Sequence, residues 1–240
     1  MTTKRAAIFD VDGTLVDSNH LHVVTWWEAF RQAGHHVPMR EIHRAVGLGG
    51  GDLIEHLLGD DRDLDGDDQL AAAHHALYAT YFERLRALDE AGDLLRALAG
   101  RGWKIVLATS ASGAELSALR GAIDADDVIL GAASADDVDD GKPAPDPVRQ
   151  ARELAGVPSE RAVFVGDTVW DMKAAVRDGV VPVAVLSGGI PRAHLEAAGA
   201  RALYRDPADL LGHLDTSVFA DMSQASADAD AYSRIARNDS

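Results

Sequence analysis

The 240-residue chain contains no cysteine, which excludes disulfides and thiolate metal sites. It is also short of basic charge: 23 Lys and Arg stand against 39 Asp and Glu, a formal net charge of −16. Nucleic acid is therefore excluded as a partner, because its binding needs a basic footprint; an acidic balance serves mostly solubility. No apolar run approaches the roughly 18 residues needed to span a membrane, so a membrane partner is not expected. Met1 to Arg5 lead straight into an apolar run with no targeting segment, and the expected compartment is the cytoplasm. What the chain does have is apolar content, 47%, enough to fill a sizeable core in one large domain or in a core plus a smaller one.

The most informative stretch is Phe9-Asp10-Val11-Asp12-Gly13-Thr14-Leu15. The apolar run Ala6-Ala7-Ile8-Phe9 reads as a buried strand, and two aspartates one residue apart stand at its exit. Carboxylates are costly to place near an apolar core unless a metal or a reacting group offsets the cost. The arrangement points to a metal-assisted site with a carboxylate nucleophile.

Beyond it, Asp17 or Ser18 reads as a cap for a helix over Asn19 to Gln32, with Gly34 as its stop. Pro38 to Val46 reads as a second helix, Gly49-Gly50-Gly51 as a loop, Asp52 to Leu58 as a short helix, Asp60 to Asp68 as an acidic linker and Gln69 to Leu88 as a long helix. Residues 18–88 thus form an all-helical insert. The pattern then changes to alternation. Strands are expected at Lys104–Ala108, Val128–Leu130, Ala162–Val165 and Val183–Leu186, and helices at Asp93–Ala99, Glu115–Arg120, Pro147–Ala155 and Asp171–Arg177, with Pro191 opening another. Continuous apolar strands alternating with helices imply an α/β fold: a Rossmann-like parallel sheet covered by helices on both faces. Its functional residues gather at the carboxyl ends of strands, where Asp10, Thr109 and Asp167 stand. Residues 1–17 and 89–214 make up this core, and the Ser-, Ala- and Asp-rich tail 215–240 is expected to fray or be disordered.

Four separated pieces fall at the ends of the apolar strands or in the loops after them: Asp10-Val11-Asp12-Gly13-Thr14, Thr109-Ser110, Gly141-Lys142-Pro143 and Gly166-Asp167-Thr168-Val169-Trp170-Asp171. Taken singly, each has a plain structural reading as a turn, a helix cap or an exposed loop lysine. Together and in this order the chain resembles the haloacid dehalogenase-like superfamily over about Ala6 to Leu214, and a helical insert after the first motif resembles the cap of its phosphoglycolate-phosphatase and β-phosphoglucomutase branch.

The resemblance implies a Mg²⁺ cofactor held by Asp10, Asp167 and the main-chain carbonyl of Asp12. It makes Asp10 the nucleophile that forms an aspartyl-phosphate, and Asp12 the acid and base that protonates the leaving alkoxide and then activates water. Thr109 and Ser110 would bind the phosphoryl group with Lys142, and Asp171 would steady the metal shell or Lys142.

Two further signals are weaker. Asp61-Arg62-Asp63-Leu64-Asp65-Gly66 opens like an EF-hand loop, but Asp68 and Ala72 stand where an apolar residue and a Glu belong, so a solvated linker is the better reading. The pairs His35-His36 and His74-His75 lack metal-like partners in spacing and read as surface residues.

The choice among reactions turns on a few residues. Superfamily dehalogenases lack the second aspartate, so Asp12 argues for phosphoryl transfer. Phosphonoacetaldehyde hydrolases use a cap lysine, and the only lysines here, Lys4, Lys104, Lys142 and Lys173, all lie outside the insert. A sugar-phosphate mutase usually grips a second phosphate with an arginine that aligns by eye with Gly50, which speaks against that alternative. His22, one helical turn before Trp26, either matches the histidine that gates proton transfer in the mutases or packs inside the cap. The expected activity is a phosphatase acting on a small phosphorylated metabolite, with a mutase as the alternative; a non-catalytic binding module would lack the nucleophile or the acid, and both are present.

Overall fold

The computed structural model describes residues 4–134, 140–220 and 222. Strands β1 (Arg5–Phe9), β2 (Trp103–Ala108), β3 (Ile129–Ala133), β4 (Ala162–Gly166), β5 (Val181–Val185) and β6 (Ala202–Tyr204) form one sheet in the order β3-β2-β1-β4-β5-β6, every pair parallel. Helices α1 (Asn19–Gln32), α2 (Met39–Ala45), α3 (Gly50–Leu58) and α4 (Asp67–Ala79) lie between β1 and β2 in the chain, followed by α5 (Ala91–Gly100). Further along come α6 (Gly113–Ile123), α7 (Asp146–Ala155), α8 (Val169–Asp178), α9 (Arg192–Ala197) and α10 (Pro207–Gly212).

The continuous apolar strands follow from a sheet that is dry on both sides. Ala7 and Phe9 of β1, with Ile105, Leu107, Val163 and Val165, face Leu94, Leu95 and Leu98 of α5 and Leu210 of α10. Their neighbours Ala6, Ile8, Val106, Ala108 and Phe164 face Val148, Ala151 and Ala155 of α7 and Ala174 and Ala175 of α8. The period of two puts alternate residues on opposite faces, so both sets must be apolar. Complete burial of a side chain such as Phe9 contributes about 1.5–3 kcal/mol.

Helices α1 to α4 have an apolar core of their own, built on Trp26, Phe30, Ile42, Leu53, Ile54 and Leu70. Two strands of chain join it to the sheet. Asp17 N–H donates to Arg86 O at 3.0 Å, and Leu88 N–H to Leu15 O at 2.8 Å. That pairing explains why the helix expected over Gln69 to Leu88 stops at Ala79: residues 86 to 88 must be extended to return to the sheet.

Other expectations are corrected in similar ways. Gly50 and Gly51 belong to the first turn of α3 rather than to a loop, with Leu53 N–H bonded to Gly49 O. The strand expected at Val128–Leu130 runs over Ile129–Ala133, because Gly131, Ala132 and Ala133 pair with Val106, Leu107 and Ala108. β6 and α10 were not expected, although Asp206 before Pro207 is a cap-and-proline start, and Asp206 accepts the Asp209 N–H at 2.8 Å. The tail does not fray at Asp215: Phe219 is buried, edge-on to Trp103 at 4.9 Å between centroids. Residues 221 and 223–240 of that expected tail lie outside the described residues. Among the described residues no helix is long and apolar enough to cross a membrane.

Candidate active site

The sheet order reverses direction at β1, which has β2 on one side and β4 on the other. Such a point opens a crevice beyond the carboxyl ends of the two strands. Phe9 pairs with Val165, and Asp10 N–H donates to Val165 O at 2.9 Å, so Asp10 at the end of β1 stands beside Asp167 at the end of β4. Lys142, from the loop before α7, reaches the same place. Its ammonium bonds Asp10 Oδ1 and lies 2.8 Å from Asp171 Oδ1, over the ring of Phe164. Asp171 is fixed by the start of α8, where its Oδ2 accepts from the Thr168 N–H and hydroxyl while its own N–H bonds Thr168 Oγ1.

Asp167 is completely buried and touches only neutral donors: Thr14 Oγ1 at 2.9 Å and Asn19 Nδ2 at 2.8 Å. Burial, Asp10 and Asp171 together hold its carboxyl well above the usual carboxylate range. Burial likewise raises Asp10 despite Lys142, while Asp10 and Asp171 overcome burial to raise Lys142. The oxygens of Asp10, Asp167 and Asp171 lie within 4.8 Å of one another, with one lysine among them. This is an excess of buried negative charge with hard oxygen donors, and it fits a hard divalent cation.

Asp12 lies apart from this group. Its Oδ1 accepts from Ser18 Oγ at 2.5 Å and faces His22 Nε2 at 3.1 Å, with Glu115 3.9 Å from the same nitrogen. Burial opposes ionisation, but His22 and Ser18 prevail and hold Asp12 below its usual range. Asp12 in turn raises His22 against burial, and burial pushes Glu115 up to about 7. Ser18 therefore spends its hydroxyl on Asp12, not on capping α1 as its position suggests.

Behind His22 lies a second histidine, expected at the surface. His74 is buried, not a surface residue; it stacks on Trp26 at 4.0 Å between centroids. Thr25 gives its hydroxyl proton to a main-chain carbonyl, Leu21 O at 2.8 Å or His22 O at 3.1 Å, and so accepts from His74 Nδ1 at 3.0 Å. That leaves His74 Nε2 to accept from His22 Nδ1 at 3.4 Å, and turns His22 Nε2 toward Asp12. The signal was in the sequence: Leu70, His74 and Tyr78 fall four apart and share the buried face of α4.

Thr109, at the end of β2, is buried, and its Oγ1 accepts from Ala111 N–H at 3.1 Å, leaving the hydroxyl proton for another acceptor. Ser110 is exposed and lines the cleft. Gly50, at the start of α3, lines the same cleft opposite Asp10 and Asp12, next to Trp26. Asp10, Asp12, His22, Gly50, Thr109, Ser110 and Lys142 thus line this crevice, and Asp167 and Asp171 stand beside Asp10.

The crevice is closed by parts that local sequence does not announce. Ser187 Oγ donates to Gly13 O at 2.7 Å, and Gly188 O receives His43 of α2 at 2.8 Å. Trp170 Nε1 donates to Arg44 O at 3.0 Å. The bonds of His43 and Arg44 hold the helical insert against the loops that follow β5 and β4. A Cβ on Gly188 would stand 1.7 Å from Asp167 Oδ2, and one on Gly13, whose φ is +73°, 2.3 Å from Asn19 Nδ2.

The model of the haloacid dehalogenase-like hydrolase family matches residues 4–179. The phosphoglycolate phosphatase of Rhodospirillum rubrum is 32% identical over 219 residues, covering 86% of this chain and 89% of its own. A hydrolase from Pseudomonas syringae is similar in structure, with a TM-score of 0.84, 35% identity and coverage of 89% of this chain and 99% of its own. CbbY of Rhodobacter sphaeroides, solved with xylulose 1,5-bisphosphate, gives a TM-score of 0.71 at 26% identity, covering 87% and 96%. The chain belongs to the haloacid dehalogenase-like hydrolase family, and its relatives place it among the phosphatases of that family.

Proposed function

We propose that this enzyme is a Mg²⁺-dependent phosphatase that hydrolyses a small phosphomonoester through an aspartyl-phosphate on Asp10. The observation that carries the reading is the separation of two neighbouring aspartates into different settings. Asp10 sits with Lys142, Asp167 and Asp171, whereas Asp12 sits with His22 and Ser18. Carboxyls whose surroundings differ in this way take different chemical roles.

Asp10, Asp167 and the main-chain carbonyl of Asp12 would hold the ion, with Asp171 supporting them through Lys142. When bound, Mg²⁺ screens the phosphoryl charge from an attacking carboxylate. Asp10 then attacks phosphorus as the ester bond breaks. Lys142 and the Thr109 hydroxyl bind phosphoryl oxygens whose charge grows in the transition state. Asp12 gives its proton to the departing alkoxide, then takes one from the water that cleaves the acyl-phosphate. An incoming phosphate dianion beside Asp12 raises its proton affinity, which loads it for the first step. Residues 18–88 act as a cap over the site, carrying His22 and Gly50 on the leaving-group side.

Phosphate release from a panel of sugar, glycolyl and nucleotide monophosphates tests the reading. A chelator is expected to abolish release, and added Mg²⁺ to restore it; full activity in the chelator counts against the metal. Gly188→Ala forces Asp167 to move, since its Cβ would stand 1.7 Å from Oδ2. It is expected to raise the Mg²⁺ concentration for half-maximal activity by about 10–100-fold, as loss of a ligand's support does. An unchanged Mg²⁺ titration would mean that Asp167 holds no ion.

The contact of His22 with Asp12 keeps a sugar-phosphate mutase as a second reading. It predicts interconversion of hexose 1- and 6-phosphates without net release of phosphate.

A further inference from the structure

We propose that the alcohol released from the substrate carries no negative charge: the ester is that of a neutral or amine-bearing alcohol, not of a carboxylate-bearing or second-phosphate-bearing one. The inference rests on the phosphatase reading and deepens it. It follows from what lines the leaving-group side of the cleft, a space of about 570 Å³ including its open mouth.

Among the described residues no Lys or Arg lines this space; Lys142 lines the adjoining one, and its ammonium is already shared between Asp10 and Asp171. His22 is committed to Asp12. His74 is buried, with Thr25 on one ring nitrogen and His22 on the other. His75 is exposed at the rim, where water screens its interactions. Apart from Ser110 and the carboxylates, the remaining lining is apolar or bare: Trp26, Val46, Leu48 and Leu53, with Gly47 and Gly50. Carboxylates stand close by, Glu115 next to His22, and Asp52 against Gly49 and Gly141.

An anion on the leaving group would give up its hydration here for apolar surface and like charge, with no cation to pair with it. A hydroxyl meets no such penalty, and an ammonium offsets its loss of hydration against Glu115 when that carboxyl is ionised. The compounds in the relatives' names, phosphoglycolate with its carboxylate and xylulose 1,5-bisphosphate with its second phosphate, would both release an anionic alcohol. In this chain Gly50, at the start of α3, lines the cleft and has no side chain to offer.

The experiment compares kcat/KM for 2-hydroxyethyl phosphate, phosphoethanolamine and 2-phosphoglycolate, which are nearly equal in size, with p-nitrophenyl phosphate as reference. The first two are expected to exceed 2-phosphoglycolate by at least about ten-fold, which is 1.4 kcal/mol. Equal or better turnover of 2-phosphoglycolate, with p-nitrophenyl phosphate also turned over, overturns the inference and leaves the phosphatase reading standing. No turnover of any ester, the reference included, sinks both. A second arm uses Gly50→Arg, for which there is room: a Cβ there meets only Trp26, at 3.7 Å. The new cation is expected to reverse the ratio toward 2-phosphoglycolate, and a ratio it does not move overturns the electrostatic cause.

Discussion

Asp10→Asn is expected to lower kcat for every phosphomonoester by about 10⁴-fold or more, the scale seen when a covalent nucleophile is removed, while leaving the fold intact. Asparagine matches the side chain in size but cannot form an acyl-phosphate. The fold should tolerate it because of how charge is arranged here. Breaking a buried ion pair usually costs about 3–5 kcal/mol, since one charge is stranded. Lys142 is not stranded, because Asp171 Oδ1 remains 2.8 Å away. Removing one of three crowded carboxylates also relieves the repulsion that raises Asp10 and Asp167. Steady-state phosphate release and a thermal melt check both halves. Activity above a tenth of the parent value, with the melt unchanged, would remove Asp10 from the nucleophile's role.

The legible part of this protein was the part whose physics is local. β1, β2 and β4 stand out as apolar runs because both faces of the sheet are covered, and the carboxyl ends of β1 and β4 lead directly to Asp10 and Asp167. Partner-dependent features were harder to see. β3 is placed by its register against β2, and Leu130, apolar in sequence, is exposed. Gly50 and Gly51 signal a loop by propensity, at about 1 kcal/mol each against alanine in a helix interior, yet a first helical turn tolerates them. The need for glycine at 188 arises from Asp167, 21 residues earlier in the chain, and is invisible without the fold. Phe219 escaped notice because its Ser-, Ala- and Asp-rich neighbours masked a single aromatic anchor on Trp103. His74 is hidden for a different reason: its spacing fits no set of metal ligands, and what buries it is the four-residue period it shares with Leu70 and Tyr78.

Asp12→Asn is expected to divide substrates by their leaving groups. The proton that Asp12 supplies is worth about 10²–10⁴-fold when an alkoxide must depart. A nitrophenolate leaves without one, so the first step with p-nitrophenyl phosphate should be much less affected than with 2-hydroxyethyl phosphate. The second step still needs Asp12, because no base then draws the proton from water attacking the acyl-phosphate. The variant should therefore release nitrophenol in a burst of about one equivalent per site and then slow, with phosphate held on Asp10, which is the kinetic sign of a stalled covalent intermediate. The geometry favours this division of labour. The Asp12 carboxylate bonds Ser18 and His22 and lies outside the Asp10, Asp167 and Asp171 group, so the change leaves the nucleophile and its surroundings in place. Stopped-flow absorbance reads the burst, and intact-protein mass reads the phosphoryl adduct. If Asp12→Asn slows both esters equally, with no burst and no adduct, Asp12 is a positioning residue and proton transfer belongs elsewhere, with His22 the nearest candidate at 3.1 Å.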